Sequence, residues 1–236
     1  MNSSPPRALV VAAHSDDEAL GCGGTLARLA ARGWDVGVVF LTDGVGARQP
    51  TGEEPAQQRA MAADQALTAM GARLLKGCDF PDNALDSLPL LTLVRAIEEV
   101  AREFRPQLVL THHAHDLNVD HRLAHQAVLT AFRPMPDSPV EAILCFEVAS
   151  STGWNSAALP AFNPTLHVDV AATFAAKLAA LACYDVEMRV APHPRSPERL
   201  QAMALYRGSQ SGLAMAEAFE VQRLILRPEG SVLAAL

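Results

Sequence analysis

Several features that would place a protein early are missing from this chain of 236 residues. Its four cysteines, Cys22, Cys78, Cys145 and Cys183, are widely spaced and form no CxxC pair. That excludes a zinc knuckle built on paired thiols and points to reduced, buried cysteines rather than a disulfide framework. Positive charge is also short: 19 Lys and Arg face 26 Asp and Glu, a formal net charge of −7. With no basic run and no aromatic-basic patch, nucleic acid is not an expected partner. No apolar run reaches the 18 residues of a membrane span, and the opening "MNSSPPRALVV" lacks the apolar segment of a signal peptide. A cytoplasmic location, with no membrane contact, is the resulting expectation. Linkers, repeats and low-complexity tracts are absent too, so residues 1–236 are expected to form one domain.

What is present is an alternation. Residues 7–13 and 36–41 are short, β-branched apolar runs of the kind found in parallel strands covered on both faces. Between them, residues 18–32 read as a helix closed by Gly33. The pattern continues with a helix over 55–70, a strand near 72–76 and a helix over 89–104. Further on come a strand at 107–111, a helix over 120–132 and a strand at 141–148. Beyond residue 150 the pattern loosens into a strand at 165–170 and helices near 171–183 and 196–214. Strand and helix in turn predict an α/β fold, doubly wound, with a mostly parallel sheet and helices on both faces.

In such folds ligands bind at the carboxyl ends of the strands. Both unusual polar clusters fall there: "HSDDE" (14–18) after the first strand, and "THHAHDLNVDHRLAH" (111–125) after "QLVL". An acidic run alone could be a helix cap. Five of the eight histidines lie within residues 112–125, however, and structure alone gives no reason for that density. His14 and Asp17, three residues apart, could ligate one ion, and a histidine of the second cluster would complete a three-ligand site with an open position. Asp16 would then be a carboxylate beside the metal without binding it. A metal-activated water next to a free carboxylate is equipment for hydrolysis.

"AAHSDDEALGCGGTLARLAARG" resembles the AH-x-DDE signature of the LmbE/PIG-L-type zinc deacetylases, and "DLNVDHR" resembles the second motif of many bacterial members. The resemblance runs on through "FLTDG", "FPDN" and "AEAF". It implies a Rossmann-like α/β domain holding one Zn2+ per chain through His14, Asp17 and His121, with Asp16 as general base. It further implies removal of N-acetyl groups from glucosamine-containing conjugates, so the expected partner is a small acetamido sugar. One departure stands out. Many members read H-P-D-H in the second motif, where the first histidine assists the tetrahedral intermediate; this chain has Asn118-Val119-Asp120-His121.

The vacant role has one candidate elsewhere, His193 in "APHPRSPERL", set between two prolines and beside Arg195. Asp43, Arg59 and Asn118 are candidate substrate contacts, and Asp120 a candidate support for His121. His112, His113, His115 and His125 carry no individual assignment. Cys22-Gly23-Gly24 lacks the GxGxxG spacing of a phosphate loop, and close helix–sheet packing explains its glycines better. Two rivals remain: a metal-dependent hydrolase of another small amide, and a non-enzymatic α/β ligand-binding module. A homo-oligomer is compatible with everything above.

Overall fold

The apolar runs become the inner strands. In the computed structural model, which describes residues 4–42, 54–226 and 232–236, β1 (Arg7–Ala12) is buried from Ala8 onward. It leads into α1 (Asp17–Ala31), β2 (Asp35–Thr42), α2 (Glu54–Ala69) and β3 (Arg73–Phe80). α3 (Leu90–Phe104), β4 (Leu108–His112), α4 (Val119–Ala131) and β5 (Ala142–Phe146) complete the regular alternation. The remainder holds β6 (Leu166–Asp169), α5 (Phe174–Cys183), α6 (Pro197–Ser209), β7 (Ala216–Leu224) and the short α7 (Val232–Ala235). One sheet runs in the order β3-β2-β1-β4-β5-β7-β6. The first five strands are parallel, while β7 lies antiparallel between β5 and β6.

Successive side chains of a strand point to opposite faces, and both faces here are covered. Val10 and Ala12 belong to a core with Leu26 of α1, Leu67 of α2, Leu181 of α5 and Leu200 of α6. Leu9 and Val11 belong to a second core with Ile97 of α3 and Val128 of α4. This is the doubly wound arrangement that the alternation predicts, and its order reverses between β1 and β4, opening a crevice at their carboxyl ends. No described helix is long and apolar enough to cross a membrane.

The structure corrects the C-terminal third. No element is expected from sequence at "AEAFEVQRL", yet it forms β7, the longest strand among the described residues. Its first half is buried and its second half largely exposed, so neither alternation nor a continuous apolar run appears. The helix expected to reach residue 214 stops at Ser209, and Gly212 follows with φ +74°.

α1 is broken rather than continuous. Cys22 adopts φ −145°, which interrupts the ladder inside "GCGG". Backbone groups freed by such a break must find other partners. Lys177 Nζ donates to Leu20 O at 2.8 Å, and Glu217 accepts from Gly24 N at 3.0 Å and Thr25 N at 2.7 Å. The two side chains also pair at 2.6 Å, buried between α1, α5 and β7. Glycine is required where this bent helix meets the sheet: a Cβ on Gly21 would sit 2.2 Å from the buried Phe146 ring. Gly21→Ala is therefore expected to destabilise the protein by about 1–3 kcal/mol, despite alanine's better helix propensity. A thermal unfolding midpoint equal to or above that of the unaltered protein would contradict this account.

Candidate metal centre and cleft

β1 ends at Ala12 and delivers "HSDD" into the crevice as a turn rather than as a helix cap. Asp16 precedes α1 but makes no capping hydrogen bond, and it holds φ 128°, a costly conformation for a residue with a side chain. The strain is held from behind. Asp16 N donates to Glu18 Oε2 at 3.0 Å, and the Tyr184 hydroxyl donates to Glu18 Oε1 at 2.8 Å. Burial pushes Glu18 up to about 8.

From β4 and α4 comes the second cluster. His14 Nδ1 lies 3.1 Å from Asp17 Oδ2, and His121 Nε2 lies 3.3 Å from both atoms. Each imidazole is oriented by carboxylates on its far side. His14 Nε2 faces Asp120 Oδ2 and Asp82 Oδ1, each at 3.2 Å. His121 Nδ1 faces Asp116 Oδ1 at 3.1 Å, and Asp116 is in turn held by the Ser151 and Thr152 hydroxyls. A ring N–H directed at each carboxylate leaves the other nitrogen's lone pair turned inward. Two lone pairs and a carboxylate oxygen so close together repel unless a cation or a proton lies among them. Four-coordinate zinc, with ligands at about 2.0–2.1 Å, separates its ligand atoms by about 3.3 Å, so the triangle fits such an ion. Asp17 Oδ1 is buried with no hydrogen-bond partner among the described residues, a cost that a neighbouring cation would offset. A second group, His14, Asp82 and Asp120, shares His14 through its other nitrogen.

His112 backs this centre without joining it. Its ring stacks on His121 with centroids 4.0 Å apart, and its Nε2 accepts from Ala13 N at 2.9 Å. Burial holds His112 well below the usual imidazole range. For His121 burial acts the same way but is outweighed by Asp17 and Asp116, which push it up to about 9.

Asp16 is separate from the ligand triangle. Its Oδ2 accepts from Arg195 Nη1 at 2.8 Å, while Arg195 Nε donates to Ser150 Oγ at 3.2 Å. Burial and the nearby charge of Asp17 push Asp16 up to about 6, against the pull of Arg195. Arg59, on α2, could be read from sequence as a solvated helix residue, but it turns inward. It donates to Ser15 Oγ and Ser15 O at 2.9 and 3.0 Å and to Glu187 Oε1 at 2.7 Å.

His14, Asp16, Arg59, Asn118 and His121 thus line one cleft, joined by Asp82, Glu187 and Arg195. Two assignments change. Asp120 lies against His14 instead of His121, because α4 turns its side chain toward β1 and Leu85 N, leaving His121 to Asp116. His193 is not among the residues lining the cleft. Its turn folds the ring back, so that Nδ1 accepts from Arg195 N at 3.1 Å, and Arg195 is the member of this loop that enters. Asn118 caps α4 by accepting from Asp120 N and donates to Asn83. Asp43 lies outside the described residues. Sequence reasoning gave no role to Asp82, Asp116 or Glu187. Asp82 was traceable by the carboxyl-edge rule, since it closely follows β3, and Asp116 lies inside "HDLNVDHR".

Fold and cleft together define a class: a Rossmann-like α/β protein whose switch-point crevice carries a His/Asp group suited to a divalent ion. Within that class the chain belongs to the family described as PIG-L: GlcNAc-PI de-N-acetylase, which matches residues 9–132. It is 35% identical over 178 residues to 1D-myo-inositol 2-acetamido-2-deoxy-alpha-D-glucopyranoside deacetylase 1 of Saccharopolyspora erythraea, covering 57% of this chain and 56% of that protein. Against the uncharacterized deacetylase YaiS of Escherichia coli it is 31% identical over 179 residues, covering 73% and 87%. The crystal structure of the conserved protein TT1542 from Thermus thermophilus superposes with a TM-score of 0.73 at 27% identity, covering 95% of this chain and 98% of that one.

Proposed function

We propose that the protein is a zinc-dependent N-deacetylase that frees the 2-amino group of an N-acetylglucosamine-type conjugate. The observation that carries this reading is the inward-facing triangle of His14, Asp17 and His121 with Asp16 beside it, buried yet tied to none of the three ligand atoms. A zinc ion held there would polarise the amide carbonyl and acidify a water. Asp16, deprotonated, would take a proton from the attacking water as the water's oxygen bonds to the carbonyl carbon. When the C–N bond breaks, Asp16 returns the proton to the leaving nitrogen, so that acetate and a free amine are the products. Arg195 holds Asp16 through Nη1. The guanidinium lines the cleft, and its remaining N–H groups are assigned to the carbonyl oxygen, where negative charge develops. His193 acts through Arg195, whose amide it accepts. Asp43, Arg59 and Asn118 are assigned to sugar hydroxyls, the last two from their place on the cleft wall.

Zinc-loaded protein incubated with N-acetylglucosamine conjugates should release one amine and one acetate per turnover, and chelation should stop the release. Tight one-to-one zinc binding with no amine from any acetamido sugar, but hydrolysis of a different amide, would favour the rival substrate class. Absence of zinc binding would remove the enzymatic reading altogether.

A further inference from the structure

Three exposed apolar side chains lie close in sequence to residues of the cleft or of its loop. Leu117 immediately precedes the cleft residue Asn118, Trp154 follows the cleft residue Ser151 by three, and Val190 sits on the turn that carries His193 toward Arg195. These three apolar side chains are 50%, 55% and 86% exposed. Of the two tryptophans, Trp34 is buried in the core and Trp154 is left at the surface. The His193 ring meets Trp154 edge to face, with centroids 5.4 Å apart at 90°. Trp154 N donates to Ser150 O, and the Ser150 hydroxyl accepts from Arg195, the residue that grips Asp16. Hydrogen bonds on the His193 side, through Arg195 N, return to the same residue. The aromatic pair is therefore fixed relative to the reacting groups from both sides.

We propose that Trp154 and His193 form a shelf that binds an apolar aglycone, aryl or alkyl, attached to the sugar whose amide enters the cleft. This inference rests on the deacetylase reading and narrows its substrate. An indole supplies large, rigid contact area at low entropic cost, and a flat or aliphatic group covering it loses contact with water. Hydrogen bonds tie both halves of the shelf to Arg195, a residue of the cleft wall, so a group carried by the bound sugar is the occupant we assign to it.

The test compares phenyl with methyl N-acetylglucosaminide on zinc-loaded protein. The unaltered enzyme should favour the phenyl glycoside in kcat/KM by ten-fold or more, about 1.4 kcal/mol, with the difference in KM. Trp154→Ala should bring the ratio close to one and Trp154→Phe should keep most of it, with kcat, zinc content and melting temperature little changed. A merely structural role for Trp154 would lower both substrates together, and that outcome overturns the proposal. So does a phenyl preference that survives Trp154→Ala. Calorimetric binding of the same two glycosides separates this question from catalysis. If no glycoside is hydrolysed, the deacetylase reading fails on its own. The shelf then stands if phenyl binds more tightly than methyl and Trp154→Ala abolishes the difference, and it falls if the two bind alike. A change of oligomeric state in Trp154→Ala without a change in relative affinity would assign the surface to a second copy of the chain, again overturning the proposal.

Discussion

His121→Ala is expected to lose both zinc and turnover. The imidazole supplies one corner of a three-atom triangle, and two protein ligands leave too little to hold the ion against water. Loss of a group that only orients a ligand typically costs about 10–100-fold in metal affinity, so Asp116→Asn should fall in that range and His121→Ala well beyond it. The pH dependence sharpens the comparison. Asp17 and Asp116 outweigh burial and push His121 up to about 9, so an incoming ion must displace its proton at neutral pH. His14 is raised well above the usual imidazole range as well, so zinc affinity should rise with pH by at least about ten-fold per unit until pH nears 9, and His121→Ala should lose the His121 share of that rise. Equilibrium dialysis against a competing chelator at several pH values reads both effects. Full occupancy with near-normal activity in His121→Ala would remove this residue from the ligand set.

Much of this was legible because the elements that place the site obey simple periodicities. β1, β2 and β4 are buried on both faces, and their unbroken apolar runs announce it. Both motif clusters then fall at one sheet edge by topology alone. β7 was not legible, because it serves as a bridge between β5 and β6 with half its length exposed, and its first residues work through Glu217 on a helix break almost two hundred positions earlier. Supporting carboxylates were hidden for a related reason. That Asp116 serves His121 and Asp120 serves His14 depends on which way α4 rotates its first turn, and spacing does not encode that rotation. Arg59 looked ordinary since its partners, Ser15 and Glu187, are 44 and 128 residues away. His193 drew notice for its prolines, while the chemistry of that loop reaches the cleft through its neighbour Arg195.

The division of labour between two adjacent carboxylates has the most direct consequence. Asp17 points into the triangle, while Asp16, at φ 128°, is turned away from it toward Arg195. Asp16→Asn keeps size and shape but cannot take a proton from water. Zinc content should stay near one per chain, while kcat falls by about 10²–10⁴, the usual contribution of a positioned base. Asparagine offers Arg195 only a neutral oxygen, so part of the loss will come from looser positioning, and the pH profile separates the two contributions. Burial and the charge of Asp17 raise Asp16 to about 6. A base works deprotonated, so with zinc held saturating at every pH, kcat/KM of the unaltered enzyme should rise about ten-fold per pH unit below about 6 and level off above it. In Asp16→Asn that acid limb should disappear from the residual activity. If the limb persists, the titrating base is another group, and if the zinc is lost instead, Asp16 is a ligand and the roles of the two aspartates must be exchanged.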